Sequence, residues 1–213
     1  MGLPLRDAVR TSTLSKKWSH KLCKLPELTL DQTLCETRKD SINPTNIFRK
    51  IIHSILTLLE GPITKFSLST PTLSRCPKID ESLFYFISRN GIQHLVLRLP
   101  FMGKPYKLPC SFFTCFQLRH LTLECCSILH PQSFKGFDRL ISLELRDAII
   151  SSKSLESFIS HCPLLQKLVL KTSNHDSIEV NAPLLKSFDF TGLIEIVLFW
   201  QNFHLQRCVI LWG

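Results

Sequence analysis

The sequence is poor in glycine, the residue on which nucleotide-binding loops depend, with seven among its 213 residues. Neither G-x-G-x-x-G nor G-K-[ST], the loops whose backbone amides cradle a phosphate, occurs in it. The G-x-S-x-G motif of hydrolases and the H-E-x-x-H motif of zinc proteases are also absent. We therefore predict that the protein is not an enzyme and has neither catalytic residues nor a cofactor.

Long apolar runs are missing as well. The most apolar segment, LIEIVLFW, is short and contains Glu195, whereas a membrane-spanning helix needs about 20 apolar residues. Arg6, Asp7 and Arg10 occupy positions where a secretory signal would have its apolar core, and Arg6 also departs from the myristoylation motif. We expect a soluble intracellular protein without a membrane partner.

Paired cysteines, which structural zinc sites require, are a third absence. The nine cysteines include no C-x-x-C, and neither Cys110 with Cys115 nor the adjacent Cys125 and Cys126 has a second pair nearby. Free cysteine packs as a small apolar side chain. We predict no metal site and interpret the cysteines as buried free thiols.

What the chain does contain is apolar and basic residues. Apolar residues make up 44% of it, enough for one domain with a substantial core or two small ones. Lysine and arginine outnumber the acids by 26 to 17, and the net charge of +9 favours acidic surfaces as partners. A nucleic-acid binder is an alternative that rests on this charge alone, and no binding motif supports it.

Six segments share the form L/I-x-x-L/F-x-L/F and organise the chain. They begin 29, 26, 22, 25 and 20 residues apart, within the range of about 20–29 residues typical of leucine-rich repeats. The segments are ITKFSLS from Ile63, IQHLVLR from Ile92, LRHLTLE from Leu118, LISLELR from Leu140, LQKLVLK from Leu165 and LKSFDFT from Leu185. Each predicts a short strand with one buried face.

In two repeats the pattern extends past the strand. LRHLTLECCSI fits L-x-x-L-x-L-x-x-C-x-I, and the next repeat places Ala148 and Ile150 at the last two of these positions. The small residue lets the chain turn into the interior, so Cys126 is interpreted as a core residue. His94 and His120 precede L-x-L in successive repeats, which allows them to stack, and we interpret them as strand-end surface residues.

Between the strands, apolar residues recur with helical spacing. SSKSLESFISHC places Leu155, Phe158, Ile159 and Cys162 on one face, and Pro163 ends the helix. DESLFYFISRNG has the same spacing, and NPTNIFRKIIHSILTLLEG predicts a longer helix that caps the N-terminal end of the stack. PFMGKPYKLPC is predicted to be an irregular functional loop, and LKSFDFTG, LIEIVLFW and LQRCVIL separate short strands of degenerate repeats.

These patterns predict an α/β fold, a leucine-rich-repeat solenoid with short parallel strands on the concave side and helices on the convex side. Residues that alternate with the buried leucines face outward and are predicted to bind a target. Those chosen are Thr122, Glu124, Glu144, Arg146, Val169 and Lys171. Their alternating charges exclude no class of partner and leave open whether the face also takes a small molecule.

The opening segment carries a resemblance. LPLRDAVRTSTLSKKWSHKLCKLPEL resembles the second half of an F-box, the helical module that docks a substrate receptor onto a cullin–RING ubiquitin ligase. Its L-P-x-x-D, Arg-Thr-Ser, Ser-Lys-Lys-Trp and closing Leu-Pro match that pattern. LTLDQTLCET, GPITKFSLS and SLESFISHCPLLQKLVL are similar to plant F-box proteins with leucine-rich repeats, of the F-box/FBD/LRR type, so the resemblance covers nearly the whole chain.

Two departures from that family shape the expected organisation. Its members usually have a further helix before the point at which this chain starts, and many have a further C-terminal domain. We therefore expect a truncated, partial F-box in residues 1–27 and a linker strand with a capping helix in residues 28–62. Leucine-rich repeats, degenerate toward the C-terminal end, are expected in residues 63–213.

The resemblance implies a substrate-recognition subunit of an SCF-type ligase in the nucleus and/or cytoplasm. The repeats would bind a target protein, and the F-box would bind a Skp-type adaptor. The implied adaptor-binding residues are Leu3, Pro4, Leu5, Val9, Leu14 and Trp18, of which Trp18 belongs either to the contact or to the core of the module. The alternative is a truncated interaction protein that binds a partner without docking the adaptor.

Overall fold

The computed structural model describes residues 26–31, 63–70, 81–100, 105–131, 134–200 and 205–212. The predicted partial F-box and the predicted capping helix lie outside these residues. Within the described ranges, no helix is long and apolar enough to cross a bilayer.

Eight parallel strands form the main sheet of the described residues, in the order β1-β2-β3-β5-β7-β8-β9-β10. Their bounds are β1 Glu27–Asp31, β2 Lys65–Ser69, β3 His94–Arg98, β5 His120–Glu124, β7 Ser142–Arg146, β8 Lys167–Asn181, β9 Ser187–Trp200 and β10 Arg207–Trp212. Two shorter strands, β4 (Tyr106–Lys107) and β6 (Cys126–Ser127), pair in parallel beside it. Consecutive parallel strands joined by crossovers confirm the predicted leucine-rich-repeat solenoid.

The six predicted repeat strands all form, because the same three apolar positions are buried in each repeat. The first position, from Ile63 to Leu185, is at most 1% exposed in all six repeats. The two residues of each L-x-L follow it in register, so that Leu95 pairs with Leu121 and Leu97 with Leu123. Each repeat thus closes the apolar surface left open by the one before it, and a single core runs through the stack.

A continuous hydrogen-bond ladder joins the repeats just before each strand. The amide of Gln93 donates to the carbonyl of Thr64, that of Arg119 to Gln93, and that of Ile141 to Arg119, each at 2.8 Å. In the same way, the amides of Gln166, Lys186 and Gln206 each donate to a carbonyl of the preceding repeat, at 2.8–2.9 Å. The ladder fixes the register of the strand starts at that edge of the sheet.

Two helices, α1 (Glu81–Arg89) and α2 (Ser152–Ser160), cover the other face of the sheet. Leu155, Phe158 and Ile159 of α2 are buried as predicted, and the Ser151 hydroxyl caps the helix by accepting from the Ser154 amide at 3.2 Å. In α1 the buried residues are Leu83, Phe84 and Ile87. The helix ends before Gly91, whose φ of +64° suits the left-handed stop predicted from Asn-Gly.

Between α1 and α2, phenylalanine side chains of the described residues connect the repeats on this side of the sheet. A 3-10 helix, Cys110–Thr114, supplies Phe112 and Phe113, and the following repeat supplies Phe134 and Phe137 from irregular backbone. Ring centroids lie 5.0–5.9 Å apart from Phe84 in α1 to Phe158 in α2 through these four residues. This aromatic cluster keeps adjacent repeats in contact although their backbones differ.

One local prediction was wrong. LKSFDFTG and LIEIVLFW belong to one continuous strand, β9, which pairs with β8 along most of its length, with a register irregularity between Thr172 and His175. Gly192 permits this, because a Cβ there would lie 1.8 Å from the carbonyl oxygen of Thr172. The segment predicted to be an irregular functional loop is described in part, and its described residues include the two-residue strand β4, whose Tyr106 pairs with Cys126 of β6.

Candidate functional site

The candidate site is the open face of the main sheet, opposite the helices. Each of the eight strands of the main sheet has three outward positions that alternate with inward residues, which are buried in every strand except β10. Parallel pairing in register aligns the outward positions into a first, a middle and a last row. The first row is Glu27, Lys65, His94, His120, Ser142, Lys167, Ser187 and Arg207. The middle row is Thr29, Ser67, Val96, Thr122, Glu144, Val169, Asp189 and Val209, and the last row is Asp31, Ser69, Arg98, Glu124, Arg146, Lys171, Thr191 and Leu211.

The six residues predicted to bind a target form one block of this face. Register pairs Thr122 with Glu144 and Glu144 with Val169 in the middle row, and Glu124, Arg146 and Lys171 align beside them in the last row. The structure therefore brings together residues from three repeats. Their role in binding remains a prediction.

Val169 is the exception to the predicted exposure. It is 8% exposed, because it lies in an interior strand with Glu144 and Asp189 at the same register position on either side. A short apolar side chain so placed offers little surface to a partner. Lys171, two residues further along β8, is exposed.

Ion pairs organise the charged side chains of the block. The Arg146 guanidinium pairs with the carboxylate of Glu144 on the same strand, and the Glu144 carboxylate also accepts from the Thr122 hydroxyl at 3.4 Å. Arg98 Nε lies 3.7 Å from Glu124 Oε2 on the neighbouring strand. These contacts hold the charged groups in fixed positions before any partner arrives, which lowers the ordering cost of binding.

His94 and His120 stack in the first row, as their shared repeat position allowed. Their ring centroids are 4.3 Å apart with an angle of 14° between the rings. Burial, then the neighbouring His94 and then the Arg119 cation lower the pKa of His120 from its ordinary value of 6.5. His120 is therefore held in the neutral form over a wider pH range than an isolated histidine.

The six cysteines of the described residues divide into buried and exposed groups, and Cys23, Cys35 and Cys76 lie outside those residues. Cys115, Cys125, Cys126 and Cys162 are buried, and burial raises the pKa of the Cys115 and Cys162 thiols to about 12, which suppresses the reactive thiolate. Cys110 and Cys208 are exposed, contrary to the prediction, because one begins the 3-10 helix and the other lies on the outermost described strand. In the described part of the chain, no three histidine, cysteine or acidic side chains converge on a metal site.

Sequence reasoning missed some charged residues of this face. Arg98 and the ion pair between Arg207 Nε and Asp189 Oδ1, at 3.1 Å, were not selected. Both were detectable, since Arg98 and Asp189 occupy the same outward repeat positions as Glu124 and Thr122. Aligning the repeats by position would have found them.

Comparison with known proteins places these repeats among named relatives. The family model for the leucine-rich repeats of FBD-associated F-box protein At5g56370 matches residues 81–212. F-box/FBD/LRR-repeat protein At1g13570 of Arabidopsis thaliana is 40% identical over 185 residues, which are 86% of this chain and 43% of that protein. No solved structure matches the sequence significantly.

Relatives with lower sequence identity are also F-box/LRR-repeat proteins. F-box/LRR-repeat protein 13 of Arabidopsis thaliana is 30% identical over 84% of this chain and 40% of its own length. F-box/LRR-repeat protein At5g02910 from the same plant is 28% identical over 79% of this chain and 35% of its own length. The chain thus spans less than half the length of these relatives.

Proposed function

The chain belongs to the plant F-box/LRR-repeat family, of the FBD-associated type, and from this we propose that it is the substrate-recognition subunit of an SCF-type cullin–RING ubiquitin ligase. Its repeats bind a target protein, and residues 3–25 bind the Skp-type adaptor. The ligase transfers ubiquitin through its other subunits, and this chain contributes proximity between target and ligase. The proposed location is the nucleus and/or cytoplasm.

The open face is the observation that carries the proposal. Its three rows are built largely of polar and charged side chains, held in register by a fully buried core. Outward residues can change without harming the core, so the surface is suited to recognising one protein rather than another. Ion pairs such as Arg98–Glu124 set a pattern of charge that a partner must match.

Adaptor binding is the part of the proposal that a titration tests directly. Purified chain is titrated with a Skp-type adaptor in a calorimeter, beside the double variant Leu5→Asp/Val9→Asp. We expect a Kd of about 1 μM or tighter and a loss of at least about tenfold in the double variant, because charge replaces apolar contact. The matched control, Thr122→Ala/Glu144→Gln on the open face, should bind the adaptor unchanged.

Two results would change the proposal. If the chain binds the adaptor only after a complete F-box helix is fused to it, it is an interaction protein that binds its target without docking the ligase. Absence of binding even with the complete F-box would refute the receptor function. A folded double variant, verified by circular dichroism, separates loss of contact from loss of structure.

A further inference from the structure

The positive charge of the open face is concentrated at one edge. The N-terminal edge consists of the first-row residue of each strand and the residue immediately before it. In the described residues this edge has five cations against the single carboxylate of Glu27, and the cations are Lys65, Arg119, Lys167, Lys186 and Arg207. The opposite edge, formed by the last row and the residue after it, balances Arg98, Arg146 and Lys171 against Asp31, Glu124 and Asp147.

Within the described residues, three cations of the N-terminal edge have no acidic partner. Lys65 pairs with Glu27 at 3.2 Å, and Arg207 pairs with Asp189 at 3.1 Å. Arg119, Lys167 and Lys186 are exposed and form no ion pair with any described carboxylate. The carboxylates of Glu27, Glu124, Glu144 and Asp189 on the face are paired with cations, so these three cations, like Lys171 in the last row, are available for an external anion.

The backbone holds these cations at regular positions. Arg119 and Lys186 belong to the hydrogen-bond ladder at the strand starts, where the Arg119 amide donates to Gln93 and the Lys186 amide to Gln166, each at 2.8 Å. Lys167 is the next residue after Gln166 and also donates to Ile141, at 3.0 Å. Fixed spacing of charge favours a ligand whose own charges repeat along an extended chain.

The stacked histidines lie on the same edge. His94 and His120 stand between Lys65 and Ser142 in the first row, and Arg119 precedes His120 directly. An imidazole ring has at least one N–H donor, which suits a carboxylate oxygen. Histidines and cations together line the edge from β2 to β10 across six strand spacings, which is ~29 Å.

We propose that this N-terminal edge binds an extended acidic segment of the target protein, lying across the strands. The inference rests on the proposed function, since it names the chemistry of the target. About nine residues of extended peptide span ~29 Å. An extended segment is narrow enough to contact the edge without facing the carboxylates of Glu144 and Asp189 in the middle row.

A nucleic acid fits the same edge less well. A duplex is broad, and its phosphates would approach the middle-row carboxylates as well as the cations. Single strands bind through aromatic platforms, and apart from the histidine pair the three rows contain no aromatic side chain. Charge and shape therefore favour an acidic peptide over a nucleic acid.

The test uses the full chain and a fluorescein-labelled decaglutamate peptide, with binding measured by anisotropy in about 50 mM salt. The triple variant Arg119→Gln/Lys167→Gln/Lys186→Gln should bind the peptide about tenfold more weakly, because it loses three cations. The matched control, Arg89→Gln/Lys135→Gln/Lys153→Gln, loses the same charge from exposed positions off the open face. Its affinity should change by less than about twofold.

Charge reversal gives an independent check. Arg119→Glu/Lys167→Glu/Lys186→Glu should lose the decaglutamate peptide and gain affinity for decalysine. Circular dichroism verifies that each variant is folded. Equal losses in the two neutral triple variants, or no binding of decaglutamate to the unaltered chain, would overturn the proposal.

Two further measurements distinguish binding of an acidic peptide from binding of nucleic acid and from the proposed ligase function. A labelled DNA duplex of about 15 base pairs that binds more tightly than decaglutamate at equal salt, and is lost in the same triple variant, would assign the edge to nucleic acid and refute the peptide. The adaptor titration of the unaltered chain reports on the ligase function alone. In the unaltered chain, adaptor binding without decaglutamate binding refutes only the acidic target, and decaglutamate binding without adaptor binding refutes only the ligase.

Discussion

His94 and His120 show how a repeat position becomes a local electrostatic property. Parallel pairing in register places the two imidazoles face to face at 4.3 Å, so that protonation of one disfavours protonation of the other. Burial has the largest effect on the pKa of His120. Burial, the neighbouring His94 and the Arg119 cation all lower this pKa.

Replacing His94 by glutamine should raise the pKa of His120 toward 6.5, since the substitution removes a like charge and uncovers part of the ring. Because the folded-state pKa lies below the unfolded value, the chain loses stability as the pH falls through 6.5 toward the folded value. His94→Gln should flatten that loss. Imidazole NMR titration measures the pKa, and urea unfolding at several pH values measures the stability.

The control for this prediction is His161→Gln. His161 follows α2 on the other side of the sheet, where its ring contacts the Ser157 carbonyl. An unchanged pKa of His120 in His94→Gln would mean that the stacked ring has no electrostatic effect.

At the scale of elements, Gly192 decides whether β9 can continue past its repeat. Its φ is +148°, and a Cβ would meet the Thr172 carbonyl oxygen at 1.8 Å. Gly192→Ala should therefore destabilise the fold by at least about 3 kcal/mol, from backbone strain and overlap with β8. Gly91→Ala is the matched control, because its φ is +64° but its nearest neighbour, Gln117 Cγ, would lie 3.8 Å from the Cβ.

The control should lose only about 1–2 kcal/mol, the cost of the left-handed conformation. Urea unfolding of both variants gives the comparison. Similar losses at the two positions would show that β8 and β9 can separate at Gly192 without cost.

The aromatic cluster is the second element-scale feature. Phe137 is fully buried and contacts the rings of Phe112, Phe134 and Phe158, each centroid within 5.1–5.7 Å. Phe137→Ala should destabilise the chain by about 3–5 kcal/mol, because it leaves a cavity between two repeats. Phe116→Ala, at a ring that is 53% exposed, should change the unfolding free energy by less than about 0.5 kcal/mol, and equal effects would contradict a joining role for the cluster.

These elements also show what the sequence could predict. The strands were predictable, because L-x-L at a repeating interval specifies the buried face without any distant contact. The helices α1 and α2 were predictable from apolar residues three and four apart. The aromatic cluster was not, since Phe112 and Phe134 lie on backbone without a periodic pattern and meet only in the folded stack.

In the candidate site, too, the contacts that form only in the folded stack could not be predicted from the sequence. Outward positions followed from alternation, and five of the six chosen residues are at least partly exposed. The burial of Val169 and the pairing of Arg98 with Glu124 depend on which strands become neighbours, and hence on register between repeats. Residues 3–25, which resemble an F-box, lie outside the described residues, so their fold stays a prediction.

At the scale of the whole molecule, one end of the described sheet exposes an apolar strand. β10 pairs with β9 and, within the described ranges, with no other strand, and Leu211 is 57% exposed. An open strand edge with apolar side chains favours association between copies. Leu211→Lys should therefore reduce concentration-dependent light scattering.

Leu129→Lys is the control for that prediction. Leu129 is 58% exposed but lies outside the main sheet, so the added charge is equal and the strand edge is untouched. Equal reductions in scattering by the two variants would assign the effect to net charge rather than to the edge.

The hydrogen-bond ladder at the strand starts has a consequence for how such a chain can evolve. Successive repeats begin 29, 26, 22, 25 and 20 residues apart, yet the strands of all of them begin in step. Insertions and deletions are thus absorbed on the helical side, and no outward residue changes its row. Duplication or loss of a whole repeat would add or remove one strand, and with it one residue from each row of the open face. Evolution can therefore change the residues that contact a partner one repeat at a time. The length of each repeat can vary without altering the rows of the open face.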